Sequence, residues 1–521
     1  MSADGAQLTR IAARGMGWQG AATMLVQALQ AASTLVAAAL VGPAEFALWG
    51  IASVLFNAQH LVGSLGFGPA LIYHRQDGRF RDAVDSAFAV TLAATLAIAL
   101  AAALLAPAIA RALASGFAGD DVVAVVRVMS AVFACAALAQ LPQALLEKAL
   151  DFRRRALAEI ACAVVYLALV ALLLAAGYGV WALIAGRAAQ MALLLTLSWT
   201  LAPVRPRMPP RLHPPTLRRL FAYGRYFGLA AVCGVVFSNA DTLAVGMIAG
   251  AEALGAYALA YSVAALVPTF LALSLGKVFF PIFADVRDDD DALRAAFGAA
   301  LHALSLLVLP AMAALALVAP DALVDVFGAD WQPARPLLRI LSLYALFRAL
   351  TLLGNLVLAA TGRPAAIIVV EALSLLATGA ALPFLARSGA AGIAWAFTAG
   401  QAAAAAWAFG GTRRLWSRAL VRPLAPSLLA ALAGAAAGGL AAASMPPAGA
   451  ARGWTAAAAF ALAAGAALLA LDRRLRALLT PDAHGAGELA PVAARRPDTG
   501  PAAPGETQRR DAPQASGDHD S

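Results

Sequence analysis

Tyr344, Arg348, Thr351 and Asn355 are spaced so that one helical face carries a phenol, a guanidinium, a hydroxyl and an amide within about 60° of arc. They lie in the apolar run Leu337–Ala360. Arg348 is about 12 residues into it, roughly 18 Å at 1.5 Å per residue. A charge at the centre of a bilayer costs about 2.5–3.5 kcal/mol on insertion scales, so it must face a partner or a polar cavity. Arg348 lies too deep to snorkel easily to either surface. Two readings stand. Arg348 forms a buried pair with Glu371 or Asp241, or it lines a cavity where its fork of donors would grip a diphosphate bidentately.

Other polar groups interrupt apolar runs. Gln19, Thr23, Gln27, Gln30 and Thr34 fall within about 80° on the first run. They serve either as hydrogen-bonding glue between helices or as a cavity lining suited to sugar hydroxyls. Asp241 has Ser238 and Thr242 near its face, while Asn239 points elsewhere. It would pair with an arginine, bind a coupling cation or act as structural glue. Arg127 and Arg187 fall in the outer parts of two further runs, and Arg225 and Lys277 near inner ends, where snorkelling competes with a cavity role. His60 and Asn57, three residues apart, read as a packed polar contact before a proton relay. Pro268 interrupts another run and permits a bend.

The sequence has no Walker A loop, no zincin histidine pair and no nucleophile elbow. No cofactor, catalytic group or metal is therefore expected. Cys135, Cys162 and Cys233 have spacings that suit neither a zinc site nor a disulfide framework. They read as small buried hydrophobes.

The elements that position these groups follow from composition. The chain has 521 residues, 62% hydrophobic and 13% charged, with 43 Gly and 28 Pro. A soluble domain carries about 25% charged residues, and this much apolar surface exceeds what water-facing domains bury. A helix needs about 20 apolar residues to span a bilayer, and on that rule about 14 spans run from Trp18–Leu40 to Trp454–Leu471. The expectation is an all-α, polytopic integral membrane protein. Residues 1–201 form a lobe of six spans, 202–220 a basic cytoplasmic linker, 221–412 a second lobe of six, 413–471 two extra spans, and 472–521 a disordered tail.

A surplus of 38 basic over 29 acidic residues would suggest nucleic acid in a soluble protein. Here the basic residues cluster in alternate gaps, such as Arg153, Arg154 and Arg155, or Arg205, Arg207 and Arg211. The positive-inside rule explains that without a nucleic acid and places both termini on the cytoplasmic side of the membrane.

The halves resemble each other. Leu40-Val41-Gly42-Pro43-Ala44-Glu45-Phe46-Ala47-Leu48-Trp49 follows the first span, and Ile248-Ala249-Gly250-Ala251-Glu252-Ala253-Leu254-Gly255-Ala256-Tyr257 the seventh. A parallel repeat of this kind places a cavity between lobes related by an axis along the membrane normal. The first of these stretches, with Gly17-Trp18 and Leu65-Gly66-Phe67-Gly68-Pro69-Ala70-Leu71-Ile72, resembles the N-terminal signature of the polysaccharide transporter family of the MOP superfamily, the Wzx-type flippases. Ser238-Asn239-Ala240-Asp241-Thr242, Leu254-Gly255-Ala256-Tyr257 and Val278-Phe279-Phe280-Pro281 are similar to the same family's seventh and eighth helices, in order.

The resemblance covers roughly residues 10 to 415 and not the Ala-rich last spans or the tail. It implies alternating access between two lobes. It also implies movement of a polyprenyl-diphosphate-linked oligosaccharide to the periplasmic leaflet, for exopolysaccharide, capsule or O-antigen assembly. It ranks Asp241 above Glu159 and Glu371, and it makes the pathway's polymerase and glycosyltransferases expected partners. A drug/cation antiporter and a peptidoglycan-precursor flippase share the fold and stay open. A membrane-embedded polymerase or ligase would need a larger periplasmic loop than any here.

Overall fold

The computed structural model describes residues 3–63, 71, 80–112, 119–149, 151–207, 213, 239–412, 415, 424–444 and 450–471. The side chains of Gln19, His60 and Lys277, the residues Arg225, Cys233 and Ser238, most of the linker and the tail from 472 lie outside the described residues. The first half contributes α1 (Ala3–Leu40), α2 (Pro43–Gly63), α3 (Phe80–Ala112), α4 (Gly119–Lys148), α5 (Phe152–Ala175) and α6 (Trp181–Leu201). The second opens with the helical residues 239–249. It continues with α7 (Ala251–Asp285), α8 (Asp290–Leu317), α9 (Ala319–Phe327), α10 (Ala334–Ala360), α11 (Pro364–Leu385) and α12 (Gly389–Gly411). The chain then adds α13 (Leu424–Ala443) and α14 (Ala450–Leu471). No strand occurs among the described residues.

Among the described residues, ten helical stretches are long and apolar enough to cross a bilayer, with α11 and α12 merged in one of them. Every span expected from the sequence coincides with a helix, the seventh through its described residues 239–249. Several helices run past the apolar core of their span. In α3 the first turn carries Arg81 and Asp82, which end a span but not a helix. The short α9 has no counterpart in the expected spans, because nine residues cannot cross a membrane.

Outward faces are apolar where a soluble protein would be polar: Leu104 is 70% exposed, Leu376 71% and Phe384 79%. Such continuous apolar surface belongs in lipid. The protein is a multi-pass membrane protein.

Local chemistry sets the turns. Pro43 opens α2 at the position where a missing N–H costs nothing. Glu45 then reaches across to accept from the Val180 N–H at 2.8 Å, covering the start of α6. Asp151 accepts from the Arg154 N–H at 3.3 Å, and Asp289 caps α8 through the N–H groups of Asp291 and Ala292. Gly250, at φ 88°, makes the turn into α7.

The halves meet through small residues and one aromatic contact. Gly50 of α2 lies under Ala258, a Cβ placed there meeting Ala258 Cβ at 3.3 Å. Phe46 meets Trp331 edge-on, with ring centroids 5.6 Å apart. The Ala/Gly-rich α13 and α14 close on each other at Gly434 against Phe460. They dock on α8 through Ser305 and Ser427, whose hydroxyls are 3.2 Å apart. Among the described linker residues, Arg207 lies 3.6 Å from both Asp82 and Asp85, and its N–H donates to Asp85. The linker's start is thereby tied to α3.

Candidate substrate cavity

Four helices of the second half and α1 of the first converge on Arg348. On α10, Tyr344, Arg348 and Thr351 share one face, as their spacing requires. On α11, Glu371, Ser374 and Thr378 recur at i, i+3 and i+7 and face them. Arg348 Nη1 lies 3.5 Å from Glu371 Oε1, and both side chains stay partly exposed, at 32% and 24%. Gln401 of α12 donates from Nε2 to Thr351 Oγ1 at 2.8 Å, which fixes α12 against α10. Gly400 beside it lies directly on Thr378 and the Ser374 carbonyl, so α11 and α12 approach as closely as backbones allow.

Two cavities border this group. One of about 40 Å³ is lined by Tyr261, Tyr344, Arg348, Glu371, Ser374 and Gln401, among others. The other, of about 280 Å³, also has Arg348 in its wall, with Gln27, Tyr261, Pro268, Thr269 and Tyr344 but without Glu371. Gln27 belongs to α1, so this larger cavity lies between the two halves of the chain. α7 continues through Pro268, whose place is in that wall.

A column of aromatic rings leads away from the cavity. Tyr344 and Tyr261 have centroids 6.1 Å apart, and Tyr261 stacks on Tyr257 at 6.2 Å and 16°. Tyr257 donates its hydroxyl to Asp241 Oδ2 at 2.8 Å. Asp241 Oδ1 accepts from the Thr242 N–H at 2.7 Å and the Thr242 hydroxyl at 3.3 Å. Asp241 is only 2% exposed, and its partners among the described residues are Tyr257 and Thr242, not an arginine.

The remaining residues singled out from the sequence are dispersed. Arg187 is half-buried in an aromatic box, its guanidinium carbon 5.0 Å from the Tyr166 ring, 5.6 Å from Trp49 and 5.7 Å from Phe56. It donates to Gln190 Oε1 at 2.9 Å. Arg127 is exposed on α4, and Gln30 is half-buried with its carbonyl accepting from Thr34; neither lines the two cavities around Arg348. Asn355 is half-buried, with an enclosed Oδ1 that meets no hydrogen-bond donor. Asn239 is half-buried and engaged with its surroundings. The Lys277 side chain lies outside the described residues. Cys135 and Cys162 are free thiols.

Of the two partners the sequence offers Arg348, the structure brings Glu371 to it, and it adds residues that the sequence reading passed over: Tyr261, Ser374, Thr378 and Gln401 around it. The signal for them was present. Glu371, Ser374 and Thr378 form a polar stripe like that of α10, and Tyr257 and Tyr261 share a face of α7.

The chain is similar to known proteins. A family profile described as "Polysaccharide biosynthesis protein" matches residues 36–336. The lipopolysaccharide biosynthesis protein WzxC of Escherichia coli K12 is 31% identical over 138 residues, 26% of this chain and 28% of that protein. The teichuronic acid biosynthesis protein TuaB of Bacillus subtilis 168 is 29% identical over 147 residues, 28% of this chain and 30% of that protein. The match to these two relatives thus spans less than a third of their length. The succinoglycan biosynthesis transport protein ExoT of Rhizobium meliloti 1021 is 22% identical over 333 residues, 63% of this chain and 65% of that one.

Among solved structures, the lipid II flippase MurJ in an inward closed conformation superposes with a TM-score of 0.71 at 13% identity, covering 88% of this chain and 99% of its own. An inward-facing MATE family multidrug resistance transporter of the MOP superfamily gives 0.62 at 15% identity, covering 77% and 96%. At such identities the likeness fixes the fold alone. The family follows from the profile, which covers more than half of the residues, and the chain belongs to the polysaccharide biosynthesis protein family.

Proposed function

We propose that the protein is a flippase that carries a polyprenyl-diphosphate-linked oligosaccharide from the cytoplasmic to the periplasmic leaflet. The observation that carries this reading is the cavity of about 280 Å³ between the halves, where Arg348, Tyr344 and Gln27 converge. A diphosphate crossing the bilayer loses its hydration, and a cation in low dielectric offsets that cost far more than the same cation in water. Tyrosine rings and amides suit the sugars that follow. The polyprenyl tail, like the exposed leucines of α3 and α11, stays in lipid. The family supports the assignment to glycan assembly, and the names of WzxC, TuaB and ExoT belong to that process.

The two halves exchange access by rocking about their contact. The basic gaps face the cytoplasm of a bacterial inner membrane, and both termini lie on that side. A glycan polymerase and glycosyltransferases of the same pathway supply and consume the substrate. The protein performs no covalent chemistry.

Deleting the gene and measuring surface polysaccharide together with the sidedness of the lipid-linked precursor tests the proposal. Loss of polymer with precursor trapped on the cytoplasmic face is the expected result. Precursor that reaches the periplasm unpolymerised would assign the chain to polymerisation or ligation instead. Unchanged polysaccharide in a strain without a redundant transporter would favour drug or cation export.

A further inference from the structure

Arg348 lines two cavities and is held in place by one carboxylate at long range. Its 3.5 Å contact with Glu371 involves a single oxygen. Elsewhere in this chain Arg155 reaches Glu147 at 2.8 Å and Glu159 at 2.9 Å, close to the usual charge-assisted distance. The contact joins two long side chains from facing helices. We infer that Glu371 is an exchangeable counter-anion: it holds Arg348 inside the second half while the cavity is empty, and the substrate's diphosphate displaces it.

The volumes decide on which side the exchange takes place. The cavity beside Glu371, of about 40 Å³, offers far less of the room that a diphosphate needs. The cavity of about 280 Å³ on the Gln27 side has that room. A diphosphate entering there meets Arg348 in a cavity whose wall does not include Glu371, and offers it more negative charge and a bidentate fit.

The vacated carboxylate does not become stranded. Ser374, Thr378 and Gln401 line the same small cavity and keep it in polar surroundings. Asp241 does not compete, because Tyr257 and Thr242 already engage both of its oxygens. Departure of the diphosphate returns Arg348 to Glu371. Transport requires binding that is favourable enough to enter and weak enough to leave, and a displaced carboxylate that competes for the same guanidinium supplies the second half of that requirement. Glu371 is in this sense a positioning residue, acting through Arg348.

The inference rests on the reading of the larger cavity as the diphosphate site. Its test is binding of geranyl diphosphate, a soluble short-chain probe, to the purified full-length protein in detergent, by calorimetry. Glu371→Gln removes the competitor, so it should bind the probe about fivefold to tenfold tighter than the wild type, while flipping of lipid-linked substrate in vesicles becomes slower because release is impaired. Glu371→Asp keeps the charge but withdraws it by one methylene, and should tighten binding about twofold while restoring most of the turnover. It serves as the readout if Glu371→Gln does not fold.

A folded Glu371→Gln that binds as the wild type does, or more weakly, would overturn the inference and leave Glu371 a structural partner. Probe binding that survives Arg348→Gln unchanged would overturn it as well. No binding by the wild type or any variant would remove the diphosphate site itself, and with it the reading on which the inference depends. That outcome is distinct from a wild type that binds without any gain in Glu371→Gln.

Discussion

Gly255 lies against the carbonyl of Pro43 where a side chain would begin. Pro43 opens α2 and Gly255 belongs to the first turns of α7, so two turns with similar sequences in the two halves meet at this point. A Cβ on Gly255 has no space, and the obstacle is backbone, which cannot rotate away. Gly255→Ala should force α2 and α7 apart and cost about 1–3 kcal/mol, the usual range for overpacking. Thermal unfolding in detergent would register this as a lowered transition. Gly276→Ala, in the same helix with nothing within 4 Å of its would-be Cβ, is the control. It should be neutral or stabilising by about 1 kcal/mol. Equal transitions for the two variants would remove Gly255 as the point of contact between the halves.

Tyr257 is the donor that makes Asp241 tolerable inside the protein. Its hydroxyl is 2.8 Å from Oδ2, and Tyr257→Phe would leave that oxygen buried without a partner. The expected loss is about 1–3 kcal/mol of stability, again by thermal unfolding. Asp241→Asn is a different experiment: its amide oxygen can still accept from Thr242, its NH2 can donate to the Tyr257 hydroxyl oxygen, and the charge is gone. If Asp241 couples a cation to transport, Asp241→Asn lowers polymer output with folded protein retained. Normal output in this variant would eliminate the coupling role.

Arg187 illustrates a cation that the sequence alone places poorly. Its place in the outer part of α6 left snorkelling and a cavity role both open, but three rings from α2 and α5 surround it and none of these is near it in sequence. Guanidinium stacks on aromatic faces and an ammonium matches them less well. Arg187→Lys should therefore lower stability by about 0.5–2 kcal/mol and leave affinity for geranyl diphosphate unaltered. Unchanged stability with weakened probe binding would move Arg187 into the cavity.

The helices were legible because each is an apolar run closed by Gly, Pro or charge, and those signals are local. The shared face of Tyr344 and Arg348 was legible for the same reason, since periodicity within one helix needs no tertiary information. Pairing across helices was not. Glu371 sits about seven residues into α11, and Arg348 about 12 from the end of α10. At 1.5 Å per residue the two differ in depth by roughly 7 Å. Spacing alone therefore left Glu371 and Asp241 as alternative partners for Arg348, and it is Glu371 whose long side chain, with that of Arg348, spans the difference. The Tyr257–Asp241 bond was hidden likewise, because it depends on how α7 folds back on residues 239–249.

Arg348 carries the last prediction, because two readings of it give opposite results in one experiment. Arg348→Gln should abolish polymer output with the protein still folded, and Arg348→Lys should retain a fraction of it, since lysine keeps the charge but loses the fork. Both results fit a structural pair with Glu371 as well as a cavity role. The charge-swapped double variant, Arg348→Glu with Glu371→Arg, separates them. It restores the ion pair, so stability lost in Arg348→Glu should return in thermal unfolding. A structural pair would then regain polymer output. The larger cavity, however, is lined by position 348 and not by 371. The swap therefore presents a carboxylate to the incoming diphosphate and takes the guanidinium out of that cavity's wall. Recovered stability without recovered output is the expected result. Recovery of both would reduce Arg348 to a structural cation.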